Sequence, residues 1–141
     1  MPEKMVSFAA LKVGARGEIS KKITATDIEE FAKLSLDTNP IHLSEEFASK
    51  TMFKGRIAHG MLTASLISAA VGTKMPGPGS VWMEQSLRFV KPVRIGDTIT
   101  AVAEIVEKKE EKRHVTVKTT CYNQDGEVVL EGIGKHKIFQ P

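Results

Sequence analysis

The chain has 141 residues, of which 41% are hydrophobic and 26% are charged, a balance typical of one globular domain. We therefore expect a single domain over residues 1–141. The net charge is only +3 and aromatic residues make up 6%, so the interleaved basic and aromatic side chains of a nucleic-acid-binding groove are not expected. No apolar run reaches the roughly 18 residues that predict a membrane-spanning helix.

The start of the chain and its single cysteine bear on location. Residues 1–17 have no apolar run behind a positively charged start, so we expect no secretory signal. Cys121 is the only cysteine, and it lies in an alternating apolar-polar stretch that predicts a buried thiol and not a nucleophile. One cysteine forms no intrachain disulfide, which favours a reducing compartment, and the predicted location is the cytoplasm.

The first half of the chain reads as one strand followed by helices. Residues 16–24 predict a strand, and Thr26 with Glu29 predicts a capping box at the start of a helix. That helix must end by Asn39, because the residue before Pro40 disfavours the helical region. A short helix is expected within residues 41–50, with Ser44 as its N-cap.

Residues 59–71 predict a second, buried helix. Small and apolar residues occur on nearly every side of it, which is typical of a helix enclosed by the rest of the fold. Gly72 is the expected C-cap. The hydroxyl groups of Ser65 and Ser68 would bond back to the preceding helical turn, or one of them would line a ligand tunnel.

The second half of the chain reads as strands. Alternation predicts strands over residues 81–89, 98–105, 115–121 and 127–139, with a turn at 123–126. His114 and His136 are interpreted as surface residues. Helices followed by long antiparallel strands indicate an α+β fold, in which a curved antiparallel sheet would wrap round the buried helix.

Two clusters of residues could support chemistry. Asp37 and His42 lie five positions apart across a proline turn, so a carboxylate and an imidazole could hold and polarise one water. A carboxyl group in an apolar cleft could act as the acid. The alternative is that Asp37 and Asn39 only form a turn and that His42 is a loop residue on the surface.

His59 and Gly60 form the second cluster, at the start of the buried helix. The N–H of Gly60 would be unpaired there and could bind a developing oxyanion, although Gly60 could instead only permit close packing. His59 fits a hydrogen-bonded core histidine. His42 and His59 lack a third ligand at a recognisable spacing, and no glycine-rich phosphate loop occurs, so neither a metal nor a cofactor is predicted.

Both clusters resemble the hydratase-2 motif of MaoC-like R-specific enoyl-CoA hydratases, and the resemblance extends from about Val13 over nearly the whole chain. It is found at Asp37-x-Asn39-Pro40-x-His42, Ile57-Ala58-His59-Gly60-Met61-Leu62, Ala64-Ser65-Leu66-Ile67-Ser68, Gly72-Thr73-Lys74-Met75-Pro76-Gly77-Pro78-Gly79, Gln85-Ser86-Leu87 and Pro92-Val93-x-Ile95-Gly96-Asp97.

The resemblance implies a hot-dog fold, a homodimer with active sites near its interface, and a role for each matched residue. Asp37 and His42 would hold the catalytic water, and Asn39 would support their geometry. The N–H of Gly60 would bind the thioester carbonyl, and Ser68 would lie near the acyl group.

The reaction implied by the resemblance is R-specific hydration of trans-2-enoyl-CoA to R-3-hydroxyacyl-CoA, and the reverse dehydration, in fatty-acid metabolism. The thioester carrier would be coenzyme A or an acyl carrier protein. Two other functions are compatible with such a chain: a hot-dog acyl-CoA thioesterase, and a non-catalytic module that binds acyl thioesters.

Overall fold

A computed structural model describes residues 4–141; the first three residues of the predicted domain lie outside the described residues. The described chain contains six strands and four helices. In chain order they are β1 (Arg16–Lys22), α1 (Ala25–Ser35), α2 (Pro40–Leu43), α3 (Glu45–Ser49), α4 (Gly60–Thr73), β2 (Ser80–Gln85), β3 (Arg88–Phe89), β4 (Thr98–Lys109), β5 (His114–Tyr122) and β6 (Val128–Ile138).

Helix α1 begins with a capping box, two residues earlier than predicted. Thr24 accepts a hydrogen bond from the N–H of Asp27 at 3.1 Å, and Asp27 accepts one from the N–H of Thr24 at 2.9 Å. The predicted box of Thr26 and Glu29 is therefore wrong. Ile23 is fully buried beside Thr24 and still bonds to the Asp97 carbonyl, so the extended chain ends directly before Thr24. Ser44, by contrast, caps α3 as predicted.

Helix α4 packs against β1, β4 and β5 and forms the centre of the fold. Seven of its residues are buried, but Met61, Ser65 and Ser68 are exposed on one face, so the prediction of burial on every side is wrong for this face. Gly72 is also not the C-cap. Helical hydrogen bonding continues to Lys74, whose N–H donates to the Ala70 carbonyl at 3.0 Å.

All strands pair antiparallel in one sheet, in the order β1-β4-β5-β6-β2, and β3 also pairs with β6. The sheet is curved, and it packs with α4 into one apolar core. The inward positions of its long strands are filled by buried residues at every second position, among them Ile99, Ala101, Ala103, Ile105, Val115, Val117 and Cys121. The predicted α+β hot-dog fold is confirmed.

Cys121 is fully buried, as predicted, and burial raises the pKa of its thiol to about 12. A thiol with such a pKa stays protonated near neutral pH, and the thiolate is the nucleophilic form. No helix among residues 4–141 is long and apolar enough to cross a membrane.

His136 on β6 is buried, so its interpretation as a surface residue is wrong. His136 lies opposite Val115 on the inward face of the sheet, only 1% exposed, and the ring of Trp82 stacks on it at 6.1 Å. Two other inward positions of β6 are Gly132 and Gly134, so the apolar alternation that marks an inward face is missing here. Their lack of side chains makes room for the amide of Gln85, because a Cβ on Gly134 would lie 2.3 Å from Gln85 Oε1.

The predicted strand over residues 81–89 is two strands, β2 and β3, separated at residues 86–87. Strand β2 is the last strand on its side of the sheet. Three consecutive apolar side chains on it, Val81, Trp82 and Met83, are exposed.

The environment of His136 predicts acid destabilisation of the fold. Burial lowers the pKa of His136 from 6.5 to about 4, so the unfolded chain binds the proton more readily than the folded chain. The free energy of unfolding should therefore fall as the pH drops from about 6.5 to about 4, by up to about 3 kcal/mol. Urea unfolding at several pH values and one protein concentration measures this dependence.

A His136→Leu variant should lose most of this pH dependence, because it removes the titrating group. The matched control is His114→Gln, which alters a partly exposed histidine and keeps His136. A His136→Leu variant with the acid dependence of the parent chain would contradict the assignment.

Candidate functional site

The turn after α1 carries Asp37. Leu36 ends the helix with a positive φ of 68°, and Ser35 accepts a hydrogen bond from the Asp37 N–H at 3.2 Å. Asp37 is exposed, and its Oδ1 accepts the N–H of Asn39 at 3.2 Å. The carboxylate is thus held by its own turn, and it remains exposed.

His42 is buried on the short helix α2, which begins at Pro40 with Asn39 as N-cap. Its Nδ1 lies 2.8 Å from the Ile57 carbonyl oxygen. A carbonyl oxygen only accepts hydrogen bonds, so Nδ1 carries the proton in the neutral ring and Nε2 keeps its lone pair. His42 is therefore not the surface loop residue of the alternative interpretation.

The second cluster lies directly against the first. His59 is the N-cap residue of α4, and its ring centroid is 3.9 Å from that of His42. Gly60 follows as the first residue of the helix, where the N–H groups have no intrahelical partner. A Cβ on Gly60 would lie 2.6 Å from the Phe89 ring, so the absence of a side chain lets this helix end approach β3 closely.

The two clusters open into one cleft of about 530 Å³. Asp37, His42, His59 and Gly60 lie at one part of its wall. Most of the other lining residues are apolar: Phe53, Ile57, Ala58, Met61, Phe89, Val90, Pro92, Val93, Val129 and Leu130. A cleft with few polar groups converging on an apolar wall is typical of a site for a largely apolar ligand.

Electrostatics favour a neutral His42. Burial lowers the pKa of His42 below 6.5, and a charge on His59 lowers it further. The hydrogen bond to Ile57 and the carboxylate of Asp37 act in the opposite direction, but the net direction is downward. At neutral pH the ring is an unprotonated base whose free Nε2 can accept a proton.

The structure brings a third potential metal ligand, Asp37, close to His42 and His59, although the sequence spacing indicated none. Asp37, His42 and His59 offer ligand atoms that lie within 4.8 Å of one another. However, His59 Nε2 is occupied by the Asp37 carbonyl at 3.0 Å, and His59 Nδ1 is buried. Only two ligand atoms then face the cleft, fewer than the three protein ligands of a typical catalytic zinc site. The absence of a metal stays a prediction.

Asn39 and Ser68 do not line the cleft. The Asn39 side chain caps α2, with its Oδ1 accepting the Ile41 N–H at 3.1 Å. Ser68 is exposed further along α4, in a second groove of about 560 Å³ between α4 and β2. Met61 lines both the cleft and this groove, so the two cavities are neighbours. Ser65 bonds back to the Leu62 carbonyl at 2.5 Å, as expected.

Two side chains at the site, Arg56 and Thr63, were not predicted from the sequence. Arg56 donates from Nε to the His42 carbonyl at 2.6 Å and so holds α2 in place. Thr63 is 2% exposed and lines the cleft, and its hydroxyl has no hydrogen-bond partner among the described residues. Thr63 is four positions after His59 on a helix, and this spacing places both residues on the same face, which was the sequence signal that Thr63 lies at the site.

Comparison with known proteins gives consistent matches over most of the chain. An (R)-specific enoyl-CoA hydratase of Rhodospirillum rubrum is 50% identical over 125 residues, covering 89% of this chain and 86% of that protein. A 3-hydroxybutyryl-CoA dehydratase of Methylorubrum extorquens is 47% identical over 139 residues, covering 98% and 88%. The solved structure of the R-hydratase PhaJ1 from Pseudomonas aeruginosa superposes with a TM-score of 0.91 at 40% identity, covering 97% of this chain and 88% of that one.

The family model described as "MaoC like domain" matches residues 7–126, which include both site clusters. The sequence resemblance is thereby confirmed: this chain belongs to the MaoC-like domain family.

Proposed function

We propose that this chain is a hydro-lyase that adds water to trans-2-enoyl-CoA to give R-3-hydroxyacyl-CoA, and that it catalyses the reverse dehydration. The single observation that carries the proposal is the free Nε2 lone pair of His42, close to the Asp37 carboxylate at the wall of an apolar cleft. The names of the relatives in Rhodospirillum rubrum and Methylorubrum extorquens agree with this reaction.

In the proposed mechanism Asp37 and His42 hold one water between them. His42 Nε2 takes a proton from the water, and the oxygen forms a bond to the β-carbon of the enoyl group. The electron pair of the carbon–carbon double bond moves toward the thioester carbonyl. Asp37, which starts the cycle protonated in this assignment, delivers its proton to the α-carbon, and the proton that His42 took from the water then passes to Asp37 and restores the pair. Because the two groups are coupled, the reversed assignment of acid and base is the alternative.

Gly60 would stabilise the charge that develops on the thioester oxygen. Its N–H lies at the N-terminus of α4, where the helix dipole favours negative charge. An N–H donor aimed at the enolate oxygen lowers the barrier, because that oxygen is more negative in the transition state than in the substrate. Asn39 would support the pair through its backbone hydrogen bond to Asp37.

The groove beyond Met61 is our proposed place for the acyl chain. It adjoins the reaction cleft, and it contains Ser68, the residue expected near the acyl group. The carrier would be coenzyme A or an acyl carrier protein, and the reaction would belong to fatty-acid metabolism. We also propose that residues 1–141 form one domain and that the protein is cytoplasmic, since its buried single thiol suits a reducing compartment.

A homodimer is part of the proposal. Strand β2 is an edge strand, and one side of its backbone has no partner among the described residues. Val81, Trp82 and Met83 are exposed on it, and Trp82 and Met83 line the second groove together with the exposed residues of α4. An unpaired apolar edge favours pairing with another strand, and a second copy of this chain would supply one.

The first test of the function is crotonyl-CoA hydration, followed by the loss of ultraviolet absorbance of the enoyl thioester and chiral analysis of the product. We expect R-3-hydroxybutyryl-CoA. Release of free coenzyme A thiol would instead indicate a thioesterase. Binding of acyl-CoA without turnover of any enoyl-CoA or enoyl-acyl-carrier-protein would indicate the non-catalytic module.

Within the same assay Asp37→Asn should lower kcat by about 10²–10⁴-fold, the range of general acid–base catalysis. Binding of the unreactive butyryl-CoA, measured by calorimetry, should persist, because the amide keeps the shape of the carboxylate. Asp125→Asn, in the exposed turn before β6, is the matched control and should have normal turnover. Normal turnover in Asp37→Asn would overturn the assignment.

The lowered pKa of His42 predicts the pH profile. A base must be unprotonated, so the acid limb of kcat/KM should have its midpoint at the pKa of His42, which lies below 6.5. Measuring kcat/KM for crotonyl-CoA from about pH 5 to pH 8 covers this range. An acid limb with its midpoint above 6.5 would contradict a buried neutral His42 as the base.

A charged substitution on the edge strand β2 tests the predicted homodimer. Met83→Arg should convert a dimer into a monomer in sedimentation velocity, because it buries a charge without a partner in the proposed interface. Val106→Arg is the matched control, since Val106 is exposed on β4, away from the β2 edge. A wild-type chain that sediments as a monomer would rule out the homodimer.

A further inference from the structure

We infer that His59, which performs no step of the proposed hydration, is the positioning residue that holds Asp37 and His42 in place relative to each other. The inference rests on the proposed function for its kinetic readout. His59 is 1% exposed, and it contacts both members of the pair: it donates a hydrogen bond to the backbone of Asp37 and its ring packs against that of His42.

The link to Asp37 is the first observation. His59 Nε2 lies 3.0 Å from the Asp37 carbonyl oxygen, and since that oxygen only accepts, Nε2 is the donor. The other side-chain hydrogen bonds of this turn join residues at most four positions apart. The bond from His59 spans 22 positions, so it ties the Asp37 turn to the start of the central helix α4.

The turn at Leu36 and Asp37, to which His59 donates, is not stabilised by packing of its own. Leu36 has a left-handed backbone with φ of 68°, which costs free energy for a residue with a side chain. Asp37 follows it directly and is exposed, so packing does not fix the carboxylate. A donor that reaches Asp37 from the buried core limits how far the turn can move.

The link to His42 is the second observation. The rings of His42 and His59 have centroids 3.9 Å apart at an angle of 30°, and the Phe31 ring packs against His59 at 4.9 Å. His42 is also fixed by its own bond to Ile57. With both contacts in place, His42 cannot turn its ring without disturbing His59, and it cannot change its tautomer without losing the hydrogen bond to Ile57.

His59 also influences the pKa of His42. Burial is the larger cause of the lowered His42 pKa, and a charge on His59 lowers that pKa further. The other charged groups near His42 are Asp37, Arg56, which binds the His42 carbonyl, and Lys91 on the cleft wall. Arg56 and Lys91 are not held by His59, and the effect of Asp37 on the His42 pKa is smaller than that of His59, so a change in the His42 pKa would report the loss of His59.

Two variants separate the two links. His59→Phe keeps an aromatic ring against Phe31 and His42 but removes the donor to Asp37. His59→Gln keeps an N–H at the place of Nε2 but removes the ring. Because misplacement of a reacting group by about 1 Å can cost about 10²-fold, we expect kcat to fall by about that factor in His59→Phe, and less in His59→Gln. The KM for crotonyl-CoA should change little in both.

Both variants should raise the pKa of His42, because they remove a neighbour that can carry positive charge. The acid limb of kcat/KM should therefore move to higher pH, and the imidazole titration of His42 in an NMR experiment should move with it. His114→Gln is the control: it removes a histidine on the outer side of the sheet and should change neither kcat nor the His42 titration.

A fall in kcat with an unchanged His42 titration would overturn the inference, since a merely structural role gives that result. Unchanged kcat in folded His59→Phe would overturn it as well. If His59→Phe does not fold, the NMR titration of His42 in the His59→Gln variant decides the question alone. Absence of hydration in the wild-type chain would defeat the proposed function, while the NMR titration would still test His59.

Discussion

Burial of one helix inside one curved sheet is the constraint on which the rest of the structure depends. Helix α4 lies against β1, β4 and β5, and its buried side chains share one apolar core with the inward positions of those strands. Each fully buried aliphatic side chain contributes about 1.5–3 kcal/mol. The N-terminus of this helix is therefore held firmly, and the candidate site is built at that end.

The start of α4 positions two short segments of the candidate site, the turn with Asp37 and the helix with His42. Asp37 lies on an exposed turn and His42 on a helix of only four residues, and neither segment has a large apolar face of its own. Backbone carbonyls complete the arrangement, since Ile57 fixes the tautomer of His42 and Asp37 accepts from His59. Arg56 adds a third tie through the His42 carbonyl. The site is thus held mainly by hydrogen bonds to the main chain.

The exposed face of α4 and the edge strand β2 belong to the same feature of the molecule. Apolar side chains remain open on both, and the groove between them adjoins the reaction cleft at Met61. The proposed dimer would cover this face and complete the walls of the groove. Acyl binding and dimer formation would then depend on the same residues, among them Met83.

The sequence by itself determined the α+β class and the central helix, which follow from periodicity, and the family, which follows from the resemblance of the motifs around Asp37, His42 and Gly60. It misplaced the capping box and the C-cap, since Thr24 and Thr26 fit the same pattern and only the end of β1 selects between them. Tertiary structure alone decided that His136 is buried, that His59 contacts both Asp37 and His42, and that Ser68 lies in a separate groove. The physical reason is that these properties depend on contacts between residues far apart in the chain, which no local pattern encodes.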